Sequence, residues 1–135
     1  MTEAASLAGL RVLVVEDDML IAIHIEDVLR GLGCVVVGPV GKLDAAMRIA
    51  DDEALDAAIL DVNIRGGHTF PVAEQLRARG VPFALVSGYG DWALPEAFRN
   101  QLRLTKPFTE QELEAQVRVL CSGAGTIAHA GALPT

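Results

Sequence analysis

The chain has 135 residues, the size of one typical domain, and 51% of them are hydrophobic, so it can bury one substantial core. Its formal net charge of −7 argues against a nucleic-acid partner, because phosphate backbones attract basic surfaces. No apolar run approaches the roughly 18 residues that a membrane-spanning helix needs, and the N-terminus lacks the basic and apolar regions of a secretory signal. We therefore expect a cytoplasmic protein with no membrane partner.

The two cysteines, Cys34 and Cys121, are too few for a disulfide framework. Neither has a His or Cys neighbour at the spacing that metal ligands usually show. We expect both to be free thiols in a reducing compartment.

Apolar runs typical of strands alternate along the chain with segments of helical periodicity. This alternation predicts a parallel sheet that is covered by helices on both faces. The predicted strands are residues 11–15, 34–38, 57–60, 82–86 and 102–105. The predicted helices are residues 19–32, 43–52, 70–79, 95–100 and 110–120. Five such units with right-handed crossovers give a doubly wound α/β sandwich, for which the strand order 2-1-3-4-5 is a common solution.

Several element boundaries carry specific signals. Gly33 is suited to the end of the first helix, and Pro39 is expected to end the second strand. Gly66-Gly67 indicates a loop. Thr109 with Glu112 three residues later forms the capping-box pattern that starts the last helix.

Polar residues stand directly after four of the five predicted strands. Glu16 and Asp17 follow the first strand, Asp61 the third, Ser87 the fourth and Lys106 the fifth. Because the carboxyl ends of parallel strands share one edge of the sheet, and ligands bind outside that edge, these side chains should converge. Carboxylates, a hydroxyl and an ammonium group together suit Mg²⁺ and a phosphoryl group. The pattern indicates a phosphorylation switch.

The acidic residues also have a simpler interpretation. An aspartate after a strand, such as Asp61, often only forms a turn, although its carboxylate can attack phosphorus and form an acyl phosphate. The adjacent acids Glu16 and Asp17 repel each other unless a cation lies near them, which favours metal binding. Asp17 or Asp18 can instead cap the following helix, and Asp18 is the better capping candidate.

Ser87 offers a hydroxyl donor, and Lys106 offers a point charge suited to a phosphate oxygen. Ser87 can equally be a turn residue and Lys106 a surface lysine. The Lys106-Pro107 bond also invites a cis peptide, although most bonds before proline are trans. The coincidence of acid, hydroxyl and ammonium groups at successive strand ends favours one shared site.

Four ordered segments resemble the receiver domain of two-component response regulators, and the resemblance covers roughly residues 10–120. The segments are VLVVEDD at 12–18, ILDVN at 59–63, VSGY at 86–89 and TKPF at 105–108. The resemblance implies a flavodoxin-like fold in which Asp61 is the phosphoacceptor. It also implies that the phosphoryl donor is a sensor histidine kinase or a histidine phosphotransfer protein.

The same resemblance implies roles for the other site residues. Glu16, Asp17 and Asp61 would bind Mg²⁺ together with the backbone carbonyl of Asn63, and Mn²⁺ or Ca²⁺ could substitute. Ser87 and Lys106 would contact the phosphoryl group.

The loop Ser87-Gly88-Tyr89-Gly90 is similar to that of single-domain receivers of the alphaproteobacterial type. One departure concerns Arg103, since many receivers carry an aromatic residue three positions before the lysine. Burying an unpaired charge is costly, so Arg103 should not move inward as that aromatic does. We hypothesise that Tyr89 carries the switch instead and shields the acyl phosphate. By resemblance, Asn63 and Tyr89 border the attacking water and tune the phosphoryl lifetime.

These observations predict a phospho-accepting receiver that switches the binding of an unknown downstream protein, as a monomer or weak dimer. Residues 8–121 would form the receiver and 122–135 a flexible tail, which leaves no room for a DNA-binding output domain. Met19 and Ile23, off the core stripe of the first helix, would dock a kinase helix or be scattered surface residues. An enzyme is not expected, because Asn63 stands where an aspartyl-phosphate hydrolase needs an acid. The alternative is a receiver-like adaptor that works without phosphate.

Overall fold

The computed structural model describes residues 7–88 and 94–121. Within them the strands are β1 Arg11–Val15, β2 Val35–Val40, β3 Ala57–Asp61, β4 Asn63–Ile64, β5 Gly67–His68, β6 Phe83–Ser87 and β7 Arg103–Thr105. The α-helices are α1 Met19–Gly31, α2 Leu43–Asp52, α3 Phe70–Ala78 and α4 Glu110–Cys121, and Glu96–Phe98 forms a 3₁₀-helix. None of these helices is long and apolar enough to cross a membrane.

The main sheet has five parallel strands in the order β2-β1-β3-β6-β7. The short strands β4 and β5 pair antiparallel with each other in a separate hairpin. Without that hairpin the order is the predicted 2-1-3-4-5, so the flavodoxin-like doubly wound fold is confirmed.

The core lies in two layers, one on each face of the sheet, because alternate residues of a strand point to opposite faces. One layer packs strand residues such as Leu13, Leu60 and Leu85 against α2 and α3. The other packs strand residues such as Val14 and Ile59 against α1 and α4. The central strands β3 and β6 are buried along their whole length, as expected for strands covered on both faces.

The second strand does not end at Pro39 as predicted, but continues to Val40. It lies at the edge of the sheet, where a proline without an N–H group removes no bond to an outer strand. Leu13 pairs with Val37 and Val15 with Val40, so the register shifts by one residue between them. The edge position and this bulge together accommodate the proline.

The α-helix predicted for residues 95–100 is wrong. Its place is taken by the 3₁₀-helix Glu96–Phe98, with i to i+3 hydrogen bonds from Phe98 to Pro95 and from Arg99 to Glu96. The segment is short and is held to α3, where the Arg77 guanidinium lies 4.6 Å from the centroid of the Phe98 ring and donates to the Ala97 carbonyl. Such one-turn connectors favour 3₁₀ geometry.

Other predicted boundaries are confirmed. Gly33 follows α1 with a φ of +92°, its N–H donates to Arg30 and the N–H of Cys34 donates to Leu29. This is the double hydrogen bond of a Schellman motif. Thr109 and Glu112 exchange the two capping-box hydrogen bonds, at 2.8 and 3.0 Å.

The predicted loop at Gly66-Gly67 lies within the β4–β5 hairpin, where both glycines have positive φ angles. Cys34 is buried and Cys121 half-buried, and both are free thiols. The Gly38–Pro39 and Lys106–Pro107 peptide bonds are cis.

Candidate metal and phosphoryl site

The sheet topology brings the predicted site residues to one edge. Val15 pairs with Leu60, and Asp61 pairs with Val86, so the ends of β1, β3 and β6 lie side by side. Glu16 continues directly from β1, and its N–H donates to the Val40 carbonyl at 2.9 Å. The carboxyl ends of the strands thus form the floor of the site.

Three carboxyl groups meet above this floor. Oxygens of Glu16, Asp17 and Asp61 all lie within 4.8 Å of one another. Glu16 and Asp61 are buried, whereas Asp17 is exposed, so the cluster opens to solvent on the Asp17 side. Carboxylates at this separation are suited to a divalent cation, which prefers oxygen ligands.

Lys106 provides the cation of the cluster. Its Nζ lies 2.8 Å from Asp61 Oδ2 and 3.4 Å from Glu16 Oε1. Burial alone lowers the pKa of Lys106, but the hydrogen bond and negative charge of Asp61, with a contribution from Glu16, outweigh burial and raise it. Lys106 is therefore a firmly protonated ion-pair partner.

Glu16 is buried in an environment that disfavours its ionised form. Burial, reinforced by the hydrogen bond and negative charge of Asp61, raises its pKa from 4.5 to about 7. Its Oε2 accepts from the Asp18 N–H at 3.1 Å. The buried Oε1 lies 3.4 Å from the Lys106 ammonium but has no hydrogen-bond partner within the described parts of the chain. A divalent cation would satisfy that oxygen and favour the ionised form, so the residues fit a metal.

Asp61 is held from several directions. Its Oδ1 accepts from the Asn63 N–H at 3.1 Å, and its backbone carbonyl accepts from the Thr69 hydroxyl at 2.7 Å. Ser87 is buried at the end of the neighbouring strand, and its carbonyl accepts from the Lys106 N–H at 2.7 Å. The structure therefore places Asp61, Ser87 and Lys106 on adjacent strand ends.

The structure distinguishes Asp17 from Asp18, for which the sequence left metal binding and helix capping open. Asp18 caps α1, since its Oδ1 accepts from the N–H groups of Leu20 and Ile21. Asp17 makes no such cap and belongs to the carboxylate cluster.

Of the two residues that the sequence assigned to the switch, the structure describes Arg103. Arg103 is exposed on the edge strand β7, where its neighbour Leu104 alone points into the core. Tyr89 lies outside the described residues, so its predicted role stays a prediction.

The sequence did not single out Thr69 or Gly41. Thr69 is fully buried beneath Asp61, and an added Cβ on Gly41 would lie 3.0 Å from the Asp17 Cα. A threonine before a helical pattern suggests a cap, and a glycine after a strand suggests a turn. Neither signal reveals a contact with the site.

Comparison with known proteins gives the family. A family model described as the response regulator receiver domain matches residues 12–118. The solution structure of SdrG from Sphingomonas melonis Fr1 is 39% identical, with a TM-score of 0.72, and the match covers 84% of this chain and 95% of that chain.

A second solved structure is the receiver domain of the sensor histidine kinase PA1611 from Pseudomonas aeruginosa PAO1. It is 25% identical, with a TM-score of 0.69, over 85% of this chain and 99% of that chain, and a magnesium ion is coordinated in its active-site cleft.

A curated relative is the transcriptional regulatory protein PdtaR of Mycobacterium tuberculosis, 26% identical over 125 residues. The match covers 90% of this chain but only 61% of PdtaR, so this chain spans less than two thirds of that protein's length. The family model covers most of the sequence, and the fold and the acidic cluster agree with it. This chain belongs to the response regulator receiver domains.

Proposed function

We propose that this chain is a phospho-accepting receiver in a two-component phosphorelay. Asp61 takes a phosphoryl group from a sensor histidine kinase or a histidine phosphotransfer protein, and the change alters the binding of a downstream protein. The observation that carries this proposal is the convergence of Glu16, Asp17 and Asp61 with Lys106 at one sheet edge.

The charges of the site support a metal-assisted reaction. Three carboxylates and one ammonium group give three negative charges against one positive, a formal charge of −2 when all are ionised. Glu16, Asp17 and Asp61 would hold Mg²⁺ with the backbone carbonyl of Asn63, and Mn²⁺ or Ca²⁺ could take its place. The bound ion would neutralise the negative charge that an incoming phosphoryl group adds.

Asp61 is the nucleophile in this proposal. One of its carboxylate oxygens forms a bond to phosphorus while the bond between phosphorus and the donor nitrogen breaks, and that electron pair leaves with the imidazole. The Asn63 N–H fixes the rotation of the carboxylate, because it donates to Oδ1. The nucleophile is therefore held in place before the donor arrives.

Lys106 and Ser87 act on the product. The Lys106 ammonium now pairs with Asp61 Oδ2, and once that carboxylate is phosphorylated the ammonium pairs with a phosphoryl oxygen instead. Ser87 lies at the end of β6, next to Asp61, where its hydroxyl can donate to a second phosphoryl oxygen. Both contacts stabilise the phosphorylated state and give it a local structure different from the free state.

Asn63 has no acidic proton to transfer, so hydrolysis of the acyl phosphate would lack a general acid–base. We accordingly expect slow self-phosphorylation from small donors and slow self-dephosphorylation, but no turnover of a separate substrate. Tyr89 would shield the acyl phosphate and carry the switch, with Arg103 outside the core.

The start of α1 offers a surface for the protein donor. Met19 and Leu20 are 74% and 80% exposed, and Ile23 is 46% exposed, directly after the acidic cluster in the chain. Exposed apolar side chains of this size beside a reactive site are typical of protein contact surfaces. Residues 8–121 would form the receiver unit, with 122–135 as a separate tail.

The proposal is tested by measuring the mass of the intact protein after incubation with acetyl phosphate, with and without Mg²⁺. The wild type should gain one phosphoryl group only when Mg²⁺ is present, and Asp61→Asn should gain none. Asp51→Asn, which changes an exposed aspartate on α2, is the matched control and should behave as wild type. A wild type that gains nothing from this donor or from histidine kinases would favour the phosphate-independent adaptor.

A further inference from the structure

Thr69 occupies the N-cap position of α3 but does not cap it. Its side chain makes no hydrogen bond to the first turn of the helix, although threonine is well suited to that role. The hydroxyl instead donates to the backbone carbonyl of Asp61 at 2.7 Å, with the Val62 carbonyl at 3.4 Å. The Thr69 hydroxyl therefore forms its hydrogen bond with the end of β3 and not with the first turn of α3.

The contact is entirely internal. Thr69 is 0% exposed and Asp61 is 5% exposed, so water cannot replace the hydroxyl as a donor without entering the core. A buried carbonyl that loses its hydrogen bond is energetically unfavourable, so the loop after β3 would have to move to find another donor. Loss of the Thr69 hydroxyl would therefore disturb the peptide that follows Asp61.

Backbone hydrogen bonds of Thr69 and Val62 also hold the loop after β3. The Thr69 N–H donates to the Val62 carbonyl at 2.9 Å, and the Val62 N–H donates to the Val86 carbonyl on β6 at 2.9 Å. Residues 61–69 are therefore tied to the sheet on one side and to Thr69 on the other. This closed segment contains both Asp61 and Asn63, two of the four residues proposed to bind the metal.

We propose that Thr69 is a positioning residue for the metal and phosphoryl site. Its hydroxyl sets the orientation of the peptide that follows Asp61, and thereby the direction in which the Asp61 carboxylate and the Asn63 backbone face Glu16 and Asp17. The inference rests on the proposed function, since it assigns the residue that orients the ligands of that site. Groups that orient ligating residues typically affect metal affinity by about 10–100-fold.

The test is the Mg²⁺ dissociation constant, measured by calorimetric titration without any phosphodonor. Thr69→Val keeps the shape of the side chain and removes the donor, and we expect its Kd to rise about tenfold or more. Thr69→Ser restores the hydroxyl and should return the Kd close to the wild-type value. Thr69→Ala removes the hydroxyl without placing a methyl group against the carbonyl, and serves if Thr69→Val does not fold.

The matched control is Val72→Ala, which removes fully buried packing from the same helix and leaves the Thr69 hydroxyl in place. It should lose stability in urea but keep the wild-type Kd for Mg²⁺. If Thr69→Val or Thr69→Ala folds and binds Mg²⁺ as tightly as wild type, the positioning role is wrong. If wild type itself does not bind Mg²⁺, the proposed function fails before the role of Thr69 is reached.

Discussion

Among single residues, Glu16 sets the electrostatic character of the site. Its carboxyl is buried next to Asp61, and this environment raises its pKa from 4.5 to about 7. An acid with a raised pKa in the folded state binds more protons when folded than when unfolded, in the window between these two values. Its contribution to stability is therefore present at low pH and is lost as the pH rises through about 7.

This linkage predicts a pH dependence of stability that belongs to Glu16. In a chelating buffer free of divalent ions, the wild-type Tm should fall between pH 5 and pH 8 by more than the Tm of Glu16→Gln, because the amide cannot titrate. Thermal unfolding at several pH values measures how steeply the Tm of each protein changes with pH. Equal slopes in the two proteins would show that Glu16 ionises as an ordinary surface carboxylate.

At the scale of elements, the connection after β2 determines how closely the backbone approaches Asp17. An added Cβ on Gly41 would lie 3.0 Å from the Asp17 Cα and 3.1 Å from its Cβ. An added Cβ on Gly31, at the end of α1, would have no atom within 4 Å outside its own helix and chain neighbours. Gly31 therefore offers a matched comparison.

Gly41→Ala should therefore displace Asp17 and weaken Mg²⁺ binding several-fold, since ligand geometry limits affinity for this ion. Gly31→Ala should leave the Mg²⁺ affinity unchanged, because its methyl group enters open space. Calorimetric titration of both variants decides the point. An unchanged affinity in Gly41→Ala would mean that the loop absorbs the added carbon without moving the carboxylate.

The elements that the sequence predicted well are those with strong periodicity. Strands β3 and β6 are continuous apolar runs, and α2 shows the spacing of an amphipathic helix. The predicted bounds of these three elements therefore agree with the observed bounds to within a residue or two. Prediction failed where tertiary position decided the outcome. Pro39 would end a central strand but is tolerated in β2 because that strand is at the edge.

In the candidate site, too, some residues were predictable from the local sequence and others depended on tertiary contacts. Its charged groups were predictable because they stand immediately after strands, and the topology of a parallel sheet brings strand ends together. Thr69 and Gly41 were not predictable, because their importance comes from a hydrogen bond across eight residues and a close contact between two loops. Such contacts leave no periodic pattern in the sequence.

For the whole molecule, the proposed metal site would couple ion binding to folding. A ligand that binds only the folded state stabilises it by RT ln(1 + [L]/Kd). At an ion concentration tenfold above Kd, this amounts to about 1.4 kcal/mol. The carboxylates come from the ends of two different strands, so unfolding separates them and abolishes the site.

Mg²⁺ should accordingly raise the wild-type Tm, and chelation should reverse the rise. Asp17→Asn should show a much smaller rise, because it removes one ligand while its exposed position leaves the core intact. Differential scanning calorimetry with and without Mg²⁺ measures the effect. An equal rise in Asp17→Asn would place the ion elsewhere on the protein.

The proposed phosphorelay role requires Asp61 to carry the phosphoryl group as an acyl phosphate. Borohydride reduces an acyl phosphate to an alcohol, which would convert Asp61 to homoserine in protein that has been incubated with acetyl phosphate and Mg²⁺. Peptide mass mapping should then find homoserine at position 61 alone, and only in the sample that contained Mg²⁺. Phosphate retained on another residue, with Asp61 unmodified, would contradict the proposed role of this site.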